Sequence, residues 1–462
     1  MLGSSPTNNF EDSARQAFSQ SIYNRPDSRA TGEGTPLDDD SYLGYSVTAG
    51  DFTGEGRQGA AVGMPRGASL LGKFFDYENH INPLCTSVVL FTWDLVNVYN
   101  VTGAQLGAYF GYSVCSADVD GDGLHDLIVG APLHTDLSNN EGKYETGRVY
   151  VFYQGTENKF RRMETRDGEK SKSRFGLSLT TLGDINKDRY EDFAVGAPYD
   201  GPQERGAVYI FHGSKLGVRE KHSQVVYAEE VGPTLSTFGF SVAGGHDLDE
   251  NEYPDLLVGA YESNTIVYFR SRPVVNMNAQ LTFSSEVKQI NLEETTCRLR
   301  DNTPVSCSSL NACFEYSGVG VERRLDFEVQ FVLDAKKPKS PRMFFLDKEG
   351  RNTMNQTLRL NKGSLVCRNV NVYIKAIFYR FSFTSYLDPG IRDKLTPIEA
   401  ELRYSMLTSP TSSITSVQRI KRSLEPVLDL NHPPVQRDVI NIQKNCGSDN
   451  ICIPDLNMTA AP

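Results

Sequence analysis

A chain of 462 residues is too long for one hydrophobic core, and its 39% hydrophobic and 23% charged residues are ordinary globular composition. A formal net charge of -11 at pH 7 argues against nucleic acid or an anionic membrane as the main partner. No stretch approaches the roughly 18 uncharged apolar residues of a membrane span.

Taken in chain order, the opening residues MLGSSPTNNFEDSARQ carry neither a basic nor an apolar leader segment, so no signal peptide is expected there. One pattern is then written four times. It reads LGYSVTAGDFTGEGRQGAAVGMP from Leu43, FGYSVCSADVDGDGLHDLIVGAP from Phe110, FGLSLTTLGDINKDRYEDFAVGAP from Phe175 and FGFSVAGGHDLDENEYPDLLVGAY from Phe238. The leading aspartates Asp51, Asp118, Asp184 and Asp247 are 67, 66 and 63 residues apart. A unit that recurs at this period and cannot bury its own apolar face must stack on its neighbours to make a core.

Within each unit, short runs rich in Val, Tyr and Phe alternate with Gly and Pro. The second copy gives GYSVCSADV, DLIVGAPL, GRVYVFYQG and KFRRMET; the third gives GLSLTTLGD, DFAVGAP, GAVYIFHG and SQVVYAEEV. Four short strands per unit describe a propeller blade. The last unit offers GFSVAGGHD, DLLVGAY and TIVYFRSRP, with no obvious fourth strand.

The loops between the first two strands of each unit carry the chemistry. In DVDGDGLHD, the carboxylates of Asp118, Asp120, Asp122 and Asp126 hold loop positions 1, 3, 5 and 9, and the Leu124 carbonyl holds position 7. Calcium takes six to eight oxygens, and a tight turn with carboxylates on alternate residues can point them inward. The third copy offers Asp184, Asn186, Asp188 and Asp192 with the Tyr190 carbonyl. The fourth offers Asp247, Asp249, Asn251 and Asp255 with the Tyr253 carbonyl. An EF-hand would place a glutamate at position 12, where this chain has Val129, Val195 and Val258 in strand-like runs. Three calcium-binding hairpin loops are therefore expected. The first copy has Asp51, Thr53 and Glu55 but Gly59 at position 9, so it is expected to be degenerate. The bland reading of any one loop is an Asx-rich turn without metal.

Other candidates are weaker. GASLLGKF at Gly67 resembles a P-loop, but Phe74 stands where a magnesium-binding hydroxyl is required. The seven histidines show no metal spacing; His125 and His246 read as solvated loop residues beside the acidic loops. GSKLG at Gly213 is not a nucleophile elbow, and RIKR at Arg419 is a dibasic processing site or an ordinary basic loop.

From about Arg272 the repeats stop. The runs NAQLTFSS, LDFEVQFVLD, NVYIKAIFYRFSF and AELRYSML read as strands of a β-sandwich. Six of the eight cysteines fall in this part, namely Cys297, Cys307, Cys313, Cys367, Cys446 and Cys452. Short closable loops between them suit disulfides in an oxidising compartment, and their spacing does not suit zinc. Sequons at Asn100, Asn355 and Asn457 agree with secretion. Extracellular chemistry without a leader leads to the expectation of a fragment or variant product.

The FGxSV, D-x-D-x-D-G-x-x-D and VGAP sequence is the FG-GAP repeat, and its succession with FRSRPVV, CRLRDNTPVSC, IRDKLTPI and CGSDNICIPDL resembles an integrin alpha subunit over nearly all of residues 20–455. The resemblance implies an all-β fold, a partial β-propeller of about four FG-GAP blades followed by an immunoglobulin-like β-sandwich. In domain terms it implies a remnant of a preceding blade at 1–36, blades at 37–271, a thigh-like sandwich at 272–452 and the start of a further domain at 453–462. It also implies the disulfides Cys297–Cys307, Cys313–Cys367 and Cys446–Cys452; a Cys85–Cys115 bridge stays open. Members are adhesion receptors on the outer side of the cell membrane, not enzymes. They pair with a beta subunit and bind extracellular-matrix ligands, some of them of the Arg-Gly-Asp type. Asp39 matches the acidic position that meets the ligand arginine. The resemblance also leads to the expectation that three blades, the calf domains, the membrane span and the tail of the family are missing from this chain. The rival readings are an FG-GAP region appended to a secreted enzyme, which no catalytic constellation in the chain supports, and a fragment with no function of its own.

Overall fold

The computed structural model describes residues 31, 40–54, 56–67, 87–138, 142–155, 160–374, 393–407 and 424–444. These residues form two compact units divided between Ser271 and Arg272. Both units are built almost wholly of strands, as the period-2 runs of β-branched and aromatic residues require.

The first unit is a partial propeller. Its first blade orders β1 (Val47–Gly50), β2 (Gly59–Met64), β3 (Ser87–Phe91) and β4 (Asn97–Thr102) as an antiparallel meander. The second repeats this with β5 (Ser113–Ala117), β6 (Asp126–Ala131), β7 (Arg148–Gln154) and β8 (Phe160–Asp167). The third uses β9 (Ser178–Gly183), β10 (Asp192–Ala197), β11 (Ala207–Phe211) and β12 (Gln224–Tyr227), followed by a single helical turn α1 (Ala228–Val231). The fourth has three strands among the described residues, β13 (Phe238–His246), β14 (Asp255–Ala260) and β15 (Thr265–Phe269).

Blades bury their faces on one another rather than in a single core. Side chains of the first blade (Ala61, Val88, Leu90) meet Val114, Leu127, Val129, Tyr150 and Phe152 of the second. The opposite face of the second blade, Ile128, Val149 and Val151, packs on Phe193, Val195, Tyr209 and Phe211 of the third. Ala194, Val208 and Ile210 of the third then meet Leu256 and Val258 of the fourth. Each blade thus has a forward and a backward apolar face, which alternation along its strands supplies.

A polar latch registers each contact. The repeated serine donates to the repeated glycine carbonyl of the next blade: Ser46 Oγ to Gly111 O at 2.8 Å, Ser113 Oγ to Gly176 O at 2.7 Å and Ser178 Oγ to Gly239 O at 2.8 Å. The glycine of each V-G-A/M run leaves room for that carbonyl. A β-carbon on Gly63, Gly130 or Gly196 would collide with the carbonyl of Gly111, Gly176 or Gly239 respectively. These residues of the FGxSV and VGAP motifs are therefore stacking residues.

The second unit is a sandwich of two sheets. One orders β21 (Met343–Phe345), β23 (Val366–Ile374), β19 (Pro304–Ser317), β16 (Val274–Phe283) and β25 (Val427–Leu428), with β18 (Cys297–Arg298) pairing with β19. The other orders β17 (Gln289–Ile290), β26 (Val435–Ile442), β24 (Ile398–Met406), β20 (Arg324–Leu333) and β22 (Thr353–Asn361). Inward residues of both sheets, including Phe314, Tyr316, Phe327, Phe331 and Phe345, make one core. Cys297 is bonded to Cys307 and Cys313 to Cys367, the latter bridging registered partners on β19 and β23. Cys115 is a buried free thiol, and Cys85, Cys446 and Cys452 lie outside the described residues.

Candidate metal loops

All four acidic loops sit between the first two strands of a blade, and their leading aspartate shapes the turn. Asp118 Oδ1 accepts from the backbone N–H groups of Gly121 (2.8 Å) and Asp122 (3.1 Å), and its Oδ2 from Gly123 (2.9 Å). Asp184 accepts from Asp188 and Arg189, both at 2.9 Å, and Asp247 from Asn251 (3.1 Å) and Glu252 (2.7 Å). Asp51 does the same with Thr53, Gly54 and Gly56. Burial raises the Asp51 carboxyl, but these N–H donors outweigh it and hold the group below the usual range. Position 1 thus organises the turn even in the loop that lacks a carboxylate at position 9.

The turn needs left-handed residues. The second loop uses Gly121 and Gly123 at φ +72° and +86°, whereas the third uses Lys187 and Arg189 at 61° and 80°. Such angles cost a non-glycine residue roughly 1 kcal/mol or more, and the bonds to Asp184 hold the backbone there.

The closing aspartate anchors the loop to the sheet. Asp126 accepts from the N–H groups of Val119 (3.2 Å) and Gln154 (2.9 Å), Asp192 from Ile185 (3.0 Å) and Gly213 (2.9 Å), and Asp255 from Leu248 (3.0 Å) and Ser271 (2.9 Å). Tyr268 also donates to Asp255 at 2.7 Å. Burial pushes Asp126 up to about 8, with the neighbouring Asp120 and Asp122 charges adding to the rise against its backbone donors. Asp192 is likewise raised, by burial first.

The structure brings one carboxylate oxygen each of Asp118, Asp120 and Asp126 within 4.8 Å of one another, and does the same for Asp247, Asp249 and Asp255. Asp120 Oδ1 and Asp249 Oδ1 are buried with no hydrogen-bond partner among the described residues. Crowded carboxylates, unsatisfied buried oxygens and an all-oxygen donor set fit a hard cation. The third loop does not gather three carboxylates in this way. There the Asn186 amide donates to Asp188 at 2.8 Å, and burial raises Asp188. The valines at position 12 are fully buried on β6, β10 and β14, where no EF-hand helix exists.

Several neighbours of the loops have no signature in the sequence. Arg161 on β8 pairs with Asp120 and lies 3.1 Å from Asp122, and Arg270 pairs with Asp249. Glu191 ties the third loop to the second by accepting from Asp118 N at 2.9 Å while its own N–H reaches Asp118 O at 3.0 Å. The Tyr190 ring lies against Gly121. Adjacent loops thus touch across the blade boundary.

Asn100 and Asn355 are exposed on β4 and β22; Asp39, Glu55 and Asn457 lie outside the described residues. No helix of the described residues is long and apolar enough to cross a membrane.

Stacked blades with an aspartate-rich hairpin loop, followed by a two-sheet sandwich, define a protein of the FG-GAP propeller class. The FG-GAP repeat family matches residues 110–152 and 175–211, and the family described as integrin alpha Ig-like domain 1 matches residues 271–445. The chain is 49% identical to integrin alpha-PS2 of Drosophila melanogaster over 444 residues, covering 94% of this chain and 30% of that protein. It is 36% identical to integrin alpha-8 of Homo sapiens, covering 92% of this chain and 37% of that protein, and 32% identical to integrin alpha pat-2 of Caenorhabditis elegans, covering 96% and 36%. The chain belongs to the integrin alpha subunit family. It spans about a third of the length of the curated relatives it matches.

Proposed function

We propose that this chain is a calcium-braced part of a cell-adhesion receptor ectodomain, working on the outer side of the cell membrane and not as an enzyme. The observation that carries the reading is the pair of three-carboxylate clusters set in FG-GAP-type blades. Calcium would be held by Asp118, Asp120, Asp122 and Asp126 with the Leu124 carbonyl, and by Asp247, Asp249, Asn251 and Asp255 with the Tyr253 carbonyl. The third site would use Asp184, Asn186, Asp188 and Asp192 with the Tyr190 carbonyl, its Asn186 amide turning its oxygen inward. A bound cation supplies positive charge that offsets carboxylates otherwise repelling one another. Because consecutive loops touch through Glu191 and Tyr190, that charge stiffens the stack of blades.

The family reading extends to pairing with an integrin beta subunit, binding an extracellular-matrix ligand and supporting integrin signalling, with Asp39 meeting the arginine of an Arg-Gly-Asp ligand. Residues 272–452 serve as the thigh-like spacer. Calorimetry with calcium and with chelator tests the metal: a melting temperature that ignores both overturns it. Co-expression with a beta subunit and pull-down tests the pairing. A calcium-stabilised chain that captures no beta subunit overturns the receptor part while leaving the metal part standing.

A further inference from the structure

Two of the acidic loops divide the oxygens of their position-3 aspartate in the same way. In the second loop the Arg161 guanidinium donates to Asp120 Oδ2, and the same nitrogen lies 3.1 Å from Asp122 Oδ2 at position 5. Asp120 Oδ1 is buried and has no hydrogen-bond partner among the described residues. In the fourth loop the Arg270 guanidinium holds Asp249 Oδ2, and Asp249 Oδ1 is again buried and without a partner there. Each carboxylate has one oxygen fixed from outside the loop and one left for a cation.

The two arginines come from different strands. Arg161 lies on β8, where the pairing with β7 slips: Gln154 faces Phe160 and Tyr153 faces Arg162, so Arg161 is the extra residue of a bulge. A bulge re-aims a side chain, and this one carries Arg161 onto the loop. Arg270 instead follows β15 directly. Each nonetheless stands beside the residue whose N–H anchors the position-9 aspartate, Gln154 for Asp126 and Ser271 for Asp255. The third loop has the neutral Asn186 at position 3, and its amide donates to Asp188 from within the loop. The arginine thus accompanies an aspartate at position 3, whichever strand supplies it.

We propose that Arg161 and Arg270 are positioning residues for calcium in the second and fourth loops, each fixing Oδ2 of the position-3 aspartate so that Oδ1 is presented to the ion. The assignment rests on the calcium reading given above. The opposing effect is repulsion between guanidinium and cation. Both arginines are exposed, where solvent screens that repulsion, whereas the aspartate oxygens they orient are buried. Orientation therefore outweighs repulsion, and loss of such a partner lowers metal affinity by about 10–100-fold.

Isothermal titration of the full chain with calcium chloride tests the assignment. Arg161→Leu and Arg270→Leu should each weaken one site by about tenfold or more. The double variant should weaken two sites while the third loop keeps its wild-type affinity. Arg161→Lys, which keeps a donor on a long side chain, should recover most of the loss. Unchanged dissociation constants in the leucine variants overturn the proposal, even where their melting temperature in chelator falls, because the arginines would then only brace the fold. Tighter binding overturns it in favour of repulsion, and a lysine variant no better than the leucine one overturns it too. A wild-type chain that takes up no calcium overturns the calcium reading itself, and this proposal with it.

Discussion

Asp118, Asp184, Asp247 and Asp51 all accept backbone N–H groups with their carboxylates, so a leading aspartate by itself marks the turn, whether or not the loop gathers a metal set. What separates the loops is the anchored aspartate at position 9, present as Asp126, Asp192 and Asp255 and replaced by Gly59 in the first blade. With calcium at tenfold its dissociation constant, each site adds about 1.4 kcal/mol to the folded form. Asp120→Ala is therefore expected to remove one such increment, seen as a smaller calcium-induced rise in melting temperature. Asp51→Ala should lower stability by roughly 1 kcal/mol through its lost turn bonds, and leave the calcium response unchanged. In the sandwich, the Arg342 guanidinium donates to both oxygens of Asp334, at 2.8 and 2.7 Å, and to the carbonyls of Asp393, Thr396 and Pro397. Both charges are buried. Arg342→Ala strands Asp334 and should destabilise that unit by about 3–5 kcal/mol in a denaturant titration.

Among elements, the decisive contact is between blades. Gly130→Ala would drive a β-carbon into the Gly176 carbonyl, a backbone atom that can retreat only by separating two blades. A cost of about 1–3 kcal/mol is expected by chemical denaturation. Gly259→Ala, at the equivalent position of the fourth blade, meets only Ser241, whose exposed hydroxyl can rotate aside, and should leave the stability of the single chain nearly unchanged. A comparable loss in both variants would show that the latch does not explain the glycines. The repeat itself is plain in the sequence because strand alternation and turn residues are local. The division of labour within the motif is not. FGxSV and VGAP lie some twenty residues apart in one blade and act on a third partner, the glycine of the following blade.

For the whole molecule, the two units rest on different physics. The blades bury one another in series, so loss of one contact exposes a face on each neighbour. The sandwich has one core and two covalent ties. Cys313 and Cys367 close a loop with a sequence separation of 54, which by the chain-entropy estimate contributes about 4 kcal/mol. Residues 272–452 are expected to fold alone under oxidising conditions, with non-reduced peptide maps recovering Cys297–Cys307 and Cys313–Cys367. A well-folded sample with other pairings would refute the assignment. Reductant should lower the melting temperature of this unit and spare that of the blades.

The sequence by itself determined the all-β class, the four-fold repeat, the position of the acidic loops and the exclusion of an EF-hand. Each of these is written in local periodicity or in the spacing of ligands within one short loop. It also carried the family resemblance, because an ordered set of motifs is specific where any single one is weak. Only the tertiary structure decided which carboxylates converge, because convergence depends on the anchoring of Asp126 and Asp255 by strands distant in the chain. The same holds for Arg161, Arg270 and Glu191, which reach the loops from other strands or from the neighbouring blade. Ser241 and Ile266 read like their counterparts in every other copy. Yet Ile266 is exposed where its counterparts Val149 and Val208 are buried, a difference set by packing between blades that no single repeat encodes.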